Sequence, residues 1–175
     1  MSFLSYTQGF DNNLLMLLLR SNNRYRPIVE FFDNMTQGLS ELSWAEAEFI
    51  AAEVSKANQS GFCNGIRGGM CRALGVDSSV LLSEKLKVLL SFSLKVNSDA
   101  AGMTQVDVDE VLSKGWSEQT VEDIVGLVAI QKLYNVIATG LGFDKLPQDA
   151  FLQIGLDTVN KGGYLAAFNS FIEPQ

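Results

Sequence analysis

From Leu42 to Gln59 the chain reads LSWAEAEFIAAEVSKANQ. Its apolar residues Phe49, Ile50, Val54 and Ala57 follow the three-and-four spacing of one helix face. Just ahead of them, Ser43 and Glu46 form an S-x-x-E capping box, which satisfies two backbone N–H groups that a helix start leaves unpaired. Alternating apolar–polar runs bounded by turn pairs, the mark of strands, are almost absent from the rest of the sequence. A chain patterned in this way is restricted to an all-α fold.

The other helices are read in the same manner. Residues about 11–20 and 25–37 are expected as two helices, with Pro27 near the start of the second. A helix from near Ser60 to Leu74 ends at Gly75. SEKLKVLLSFSLKV, from Ser83, places Leu86, Leu89, Leu90, Phe92 and Leu94 largely on one side. Thr104 and Asp107 make a second box-like start, and that helix stops at Gly115. Ser117 opens a long helix that is apolar almost all round from Ile124 to Ile130, so it is central in the core or buried in a subunit interface. The tail, about 147–171, reads as one or two short helices whose Phe151, Leu152, Ile154, Leu156, Leu165, Phe168 and Phe171 cover the core or a partner. With 175 residues and neither repeat nor low-complexity segment, a single domain over 1–175 is expected.

Composition excludes several functions. The chain carries 20 acidic and 13 basic residues, net −7. No basic cluster stands out, which argues against nucleic acid or an anionic membrane as partner. The longest apolar runs, Leu14–Leu19 and Ile124–Ile130, fall short of the roughly 20 residues a membrane span needs. The N-terminus lacks a positive region ahead of an apolar stretch, so no signal peptide is expected and the setting is cytoplasmic and reducing. There is no histidine, and there are two cysteines. That removes the commonest general base, argues against a zinc or iron site and rules out a disulfide framework. No cofactor is expected.

NQSGFCNGIRGGMC, residues 58–71, places Cys63 in the first turn of the helix expected to start near Ser60. Unpaired backbone N–H groups and the helix dipole there favour a thiolate. Arg67, four residues on, adds a positive charge on the same face. Both should lower the thiol from its reference near 8.5. Equally, a free cysteine is often a small buried hydrophobe. Cys71 lies eight residues further, roughly 12 Å along a helix, beyond the reach of about 7 Å that a disulfide allows, and is read as packing. Glu48, on the preceding helix of an antiparallel pair joined near Gln59, is placed to face the next helix. There it would act as a base towards a thiol or neutralise Arg67. Glu53 is a weaker carboxylate candidate.

The run LSWAEAEFIAAEVSKANQSGFCNGIRGGMCRALG resembles the core motif of the alkylhydroperoxidase D-like (AhpD-like), or carboxymuconolactone decarboxylase, superfamily, and is most similar to its peroxidase-related branch. Leu42, Ser43, Glu46, Glu48, Val54, Ser55 and Asn58 keep the family frame without a gap. The segment SKGWSEQTVEDIVGLVAIQKLYNVIATGLGFDKLP also resembles the branch. Matching features cover about residues 25–147, leaving 148–175 as a C-terminal helical tail. The resemblance implies an AhpD-like helical domain and a helix-mediated homo-oligomer, a trimer or hexamer. It also implies a dithiol, C-x-x-C-x-x-x-H, that reduces a hydroperoxide through a Glu–His proton relay. In this frame the two cysteines fall on Ser60 and Cys63, the histidine on Arg67 and the acidic relay residue on Glu48. The motif has become S-x-x-C-x-x-x-R. Serine cannot close the disulfide, and a permanently protonated arginine cannot relay a proton, so the two-cysteine mechanism is excluded.

Three readings of function follow. The first is an antioxidant one-cysteine thiol peroxidase, an oxidoreductase of peroxiredoxin type. Cys63 would be the attacking thiolate, Arg67 its support, Glu48 an orienting or proton-accepting group and Ser60 a hydrogen-bond donor. A hydroperoxide would be the substrate and an external thiol the reductant. The second is a carboxymuconolactone decarboxylase-type enzyme that holds a small anionic substrate with Arg67 and uses Glu48 as acid or base. The third is a catalytically silent member that keeps the fold and oligomer, with Glu48 and Arg67 as a buried ion pair.

Overall fold

Local capping fixes most helix ends in the computed structural model, which describes residues 2–9, 12–37, 41–76 and 83–172. Nine α-helices and two short 3-10 turns, Ser5–Thr7 and Ala100–Gly102, account for the regular structure of these residues, with no strand among them. Helix α1 spans Asn13–Arg20 and starts on Asn12, whose Oδ1 accepts from the Leu15 N–H at 3.0 Å. The expected start at residue 11 lies outside the described residues.

Helix α2 spans Asn22–Thr36 and begins three residues earlier than the sequence suggests. Pro27 is therefore its sixth residue rather than an opening one. The ring removes the N–H that would bond the carbonyl of Asn23, but Asn23 and Pro27 are both exposed, so water can serve that carbonyl.

Helix α3 spans Trp44–Ala57 and opens on the expected capping box. Ser43 N donates to Glu46 Oε2 at 2.9 Å, and Glu46 N donates to Ser43 Oγ at 3.3 Å. After α3 the chain reverses through Gln59, which adopts a left-handed φ of 55°, and α4 returns over Gly61–Ala73. The α3–α4 pair is tied by Asn64 Nδ2, which donates to the Ala52 carbonyl at 3.0 Å. Gly75, at φ 74°, closes α4 in a Schellman turn, with Val76 N bonded to Cys71 O and Gly75 N to Arg72 O.

Helices α5 (Glu84–Asp99) and α6 (Gln105–Ser113) start at Ser83 and Thr104, as their sequences indicate. Asp107 Oδ2 accepts from both Thr104 N and Thr104 Oγ1 at 2.8 Å. An Asn58–Asn97 pair, donating in both directions at 2.9 and 2.8 Å, ties the end of α3 to α5.

Helix α7 (Glu118–Gly140) runs through the middle and packs on α2, α3, α4, α5 and α6. Ile124, Leu127, Val128 and Ile130 are buried in the main core. The helix is not sealed all round, because Val125, Leu133 and Val136 are exposed. No helix of the described residues is long and apolar enough to cross a membrane.

Helices α8 (Gln148–Asn160) and α9 (Tyr164–Asn169) form the tail. Helix α8 packs on α4 more extensively than any other two helices pack. Glycine makes this approach possible. A Cβ on Gly69 would run into the Phe151 carbonyl, one on Gly65 into the Phe151 ring, and one on Gly155 into the Gly69 carbonyl. Phe151, 2% exposed, fills the seam. Helix α9 is held by α2: Asp33 Oδ1 accepts from Tyr164 N at 2.6 Å and Leu165 N at 3.2 Å. Gly163, at φ 136°, lets the chain enter beside Asp33 and Gln37, where a side chain would collide.

Candidate functional site

Glu48 and Arg67 meet where α3, α4, α7 and α9 converge, and both are almost fully buried, at 0% and 3% exposed. Glu48 Oε1 accepts from Trp44 Nε1 at 3.2 Å, one turn back on α3, and from the Tyr164 hydroxyl at 2.8 Å. Its other oxygen, Oε2, lies 3.6 Å from Arg67 Nη1, and neither of those two atoms has a hydrogen-bond partner among the described residues. Arg67 Nε donates to Gln131 Oε1 at 3.1 Å. Gln131 in turn donates to Ser55 Oγ at 2.7 Å and to Asn135 Oδ1 at 3.0 Å. The guanidinium sits over the Phe32 ring, 3.8 Å from its centroid, with the Tyr164 and Tyr134 rings at 4.8 and 5.8 Å. Three aromatic rings thus surround an almost fully buried cation.

The electrostatics follow from this burial. Burial pushes the Glu48 carboxyl above its ordinary range, against Arg67, Tyr164 and Trp44, which favour the ionised form. Burial also works against the Arg67 charge, but Tyr164 and Glu48 beside it hold the guanidinium protonated. The Tyr164 hydroxyl is pushed well up by burial and stays a donor.

Cys63 lies in the first turn of α4, as the sequence indicates, yet its chemistry runs opposite to the expectation. It is 3% exposed and belongs to the apolar core. Burial pushes the thiol up, and the smaller opposing effects of Ser60 and Arg67 do not reverse it. The helix start and the nearby cation are present; exclusion of water outweighs them. Ser60 is buried ahead of α4, and its hydroxyl makes no hydrogen bond of good geometry among the described residues. Cys71 is buried on the same unbroken helix, unpaired, and its thiol is pushed up to about 12, chiefly by burial. Glu53 pairs with Lys56 at 3.3 Å on the surface, away from this cluster.

A cavity of about 230 Å³ opens beside the pair. Arg67, Phe32, Tyr134 and Tyr164 form one part of its wall, and Leu18, Val29 and Phe168 another. Neither Cys63 nor Glu48 lines it.

The structure therefore brings Glu48 and Arg67 into contact and leaves the Cys63 thiol enclosed in the core near them. Sequence reasoning did not find Trp44, Gln131, Tyr164 or Asp33. Trp44 had a signal, since it lies four residues before Glu48 on one helix face. The others come from distant helices. Among the described residues, no group of three or more His, Cys, Asp or Glu side chains could hold a metal ion.

No protein-family model matches this sequence, and no curated protein matches it. Solved structures do. One is an uncharacterized peroxidase-related protein from a Silicibacter species, with a TM-score of 0.71 at 20% identity, covering 90% of this chain and 82% of that one. Another is an uncharacterized peroxidase-related protein from Ralstonia eutropha, described as an alkylhydroperoxidase AhpD core, with a TM-score of 0.67 at 21% identity over 81% of this chain and 79% of that one. The convergence of helices around Glu48 and Arg67 is thus carried by the all-α AhpD-core fold that this chain shares with these peroxidase-related proteins.

Proposed function

We propose that this chain is a catalytically silent variant on the AhpD scaffold, in which Glu48 and Arg67 form a structural ion pair in place of a proton relay. The enclosed, protonated Cys63, away from the cavity, carries this reading. A peroxidatic cysteine needs thiolate character and a path for its substrate, and Cys63 has neither. Arg67 is fixed in its charge, and its Nε is committed to Gln131. Treatment with dilute hydrogen peroxide, followed by intact mass measurement, should leave both cysteines unmodified. Iodoacetamide should alkylate Cys63 slowly at neutral pH. Rapid addition of one oxygen to Cys63 would overturn the reading.

That outcome would favour a one-cysteine peroxidase of peroxiredoxin type. Ser60 and Arg67, which both ease ionisation of Cys63, are the observation in its favour. The thiolate sulfur would take one oxygen of the hydroperoxide, releasing the other as water or alcohol. An external thiol would then reduce the sulfenic acid through a mixed disulfide. A carboxymuconolactone decarboxylase-type reaction has less support, because Glu48 does not line the cavity. If that reaction occurred, activity would survive Cys63→Ser and be lost in Arg67→Ala.

Homo-oligomerisation, as a trimer or hexamer, is supported by Val125, Leu133 and Val136, which leave an apolar stripe on α7 exposed. Sedimentation equilibrium should give a multiple of the chain mass; a monomer at micromolar concentration would refute it. Two free, buried thiols fit the reducing cytoplasm proposed as its setting, and fractionation that finds the chain outside the cytoplasm would refute that.

A further inference from the structure

Most polar side chains of the cavity wall are engaged within the protein. Arg67 Nε donates to Gln131, and Arg67 Nη1 lies 3.6 Å from Glu48 Oε2, so the cation has its counter-charge in a residue outside the cavity. The Tyr164 hydroxyl donates to the same carboxylate, and the Thr158 hydroxyl donates to the Ile154 carbonyl, each at 2.8 Å. Asn12 Oδ1 caps α1. The exposed Asp157 and Lys161 are opposite in sign and are held by Gln153 and Ser170, each at 2.9 Å. Burial pushes the Tyr134 hydroxyl well up, so it stays neutral. The charges at the cavity therefore cancel in pairs, and no sign is left for a ligand to complement. Much of the remaining wall is apolar, with Leu18, Val29, Phe32, Ile154 and Phe168. Atoms facing such a void lack dispersion partners across it. An engineered apolar cavity of about 150 Å³ in another protein stays dry and takes up benzene. In the same proportion, 230 Å³ holds roughly nine carbon atoms.

We propose that this cavity is a binding site for a neutral, apolar small molecule of about nine non-hydrogen atoms, an alkylbenzene in shape. Phe32, Tyr134, Tyr164 and Phe168 on the wall favour a ring in the ligand, and Leu18, Val29 and Ile154 give its alkyl part apolar surface. A charged ligand of the same size is disfavoured in either sign. An anion would meet a guanidinium already paired with Glu48, and a cation would meet that guanidinium directly. Either would give up its hydration shell with no free partner to replace it. The site goes beyond the loss of thiol chemistry, since Cys63 does not line the cavity, and it is tested separately.

The test is titration of the full chain with propylbenzene at neutral pH, followed by calorimetry, with benzoate and 2-phenylethylammonium as anionic and cationic controls of the same size. One propylbenzene should bind per chain, about tenfold or more tighter than either ion. Ala167 lines the cavity from the half-buried face of α9, and Ala167→Trp should fill the pocket and abolish binding. In the unsubstituted chain, intermolecular nuclear Overhauser effects should join propylbenzene protons to the Phe168 ring, which locates the ligand even if the variant fails to fold. Absence of saturable propylbenzene binding, as when a second copy of the chain fills the cavity, would overturn the site. So would equal or tighter binding of either ion, or saturable binding without contacts to Phe168. Oxidation of Cys63 by peroxide would overturn only the silent reading and leave the propylbenzene result standing.

Discussion

Replacing Arg67 with methionine would leave the Glu48 carboxyl buried without its cation and Gln131 Oε1 without its donor. Breaking a buried pair from one side costs about 3–5 kcal/mol, and urea unfolding of Arg67→Met should lose a stability of that order. Glu48→Gln tests the other partner through pH. Burial raises the folded-state pKa of Glu48 above its ordinary 4.5, so the folded chain binds this proton more tightly than the unfolded one. The contribution of Glu48 is therefore fully present below 4.5 and is lost as pH rises through the folded-state value. The stability of Glu48→Gln relative to the parent should then rise with pH across that window; denaturation midpoints measured at pH steps in the two proteins check the sign, and a difference that stays flat contradicts it. At this scale the sequence set Glu48 to face the helix of Arg67, and the two lie 3.6 Å apart; the spacing of Cys63 and Arg67 favours a lowered thiol, whereas burial raises it. Charge and dipole are visible in the spacing of Cys63 and Arg67. Desolvation depends on the core that Cys63 shares with Phe62, Ile66 and residues from other helices, which spacing does not show.

Helix α4 carries two glycines in sequence that face different surroundings. A Cβ on Gly68 would meet only the tip of Arg72, at 3.7 Å, whereas one on Gly69 would strike the backbone of Phe151. Gly68→Ala should therefore stabilise the chain by up to about 1 kcal/mol through helix propensity. Gly69→Ala should destabilise it by about 1–3 kcal/mol or more, because α8 must move away. Thermal unfolding of the two variants separates these outcomes, and equal shifts would refute the seam. The helices themselves were legible because their ends are written locally, in Ser43 with Glu46, Thr104 with Asp107, and Gly75. The start of α2 was not: Pro27 looks like an opening residue, but it is tolerated further in because the carbonyl it strands faces water. The seam was also hidden, since Gly65 and Gly69 acquire a reason only when Gly155 and Phe151 lie across them.

For the whole molecule, the sequence supported an all-α architecture, and the core-like segment about 25–147 left 148–175 as an addition. In the structure the addition is integral. Helix α8 covers the glycine face of α4, and α9 supplies Tyr164 to Glu48 under the direction of Asp33. Nothing near Glu48 in sequence announces a tyrosine partner, because the two residues are 116 positions apart. That separation also bears on how the chain is made. During synthesis the carboxylate emerges long before its tyrosine, at rates of about 5–20 residues per second. For that interval of roughly 6–23 s, the helices that have already emerged must hold Glu48 without the hydroxyl that later completes its shell. The polar centre therefore closes late in biogenesis, when α9 docks on Asp33, and a ribosome-bound chain stopped before Tyr164 would keep its acidic centre open to water.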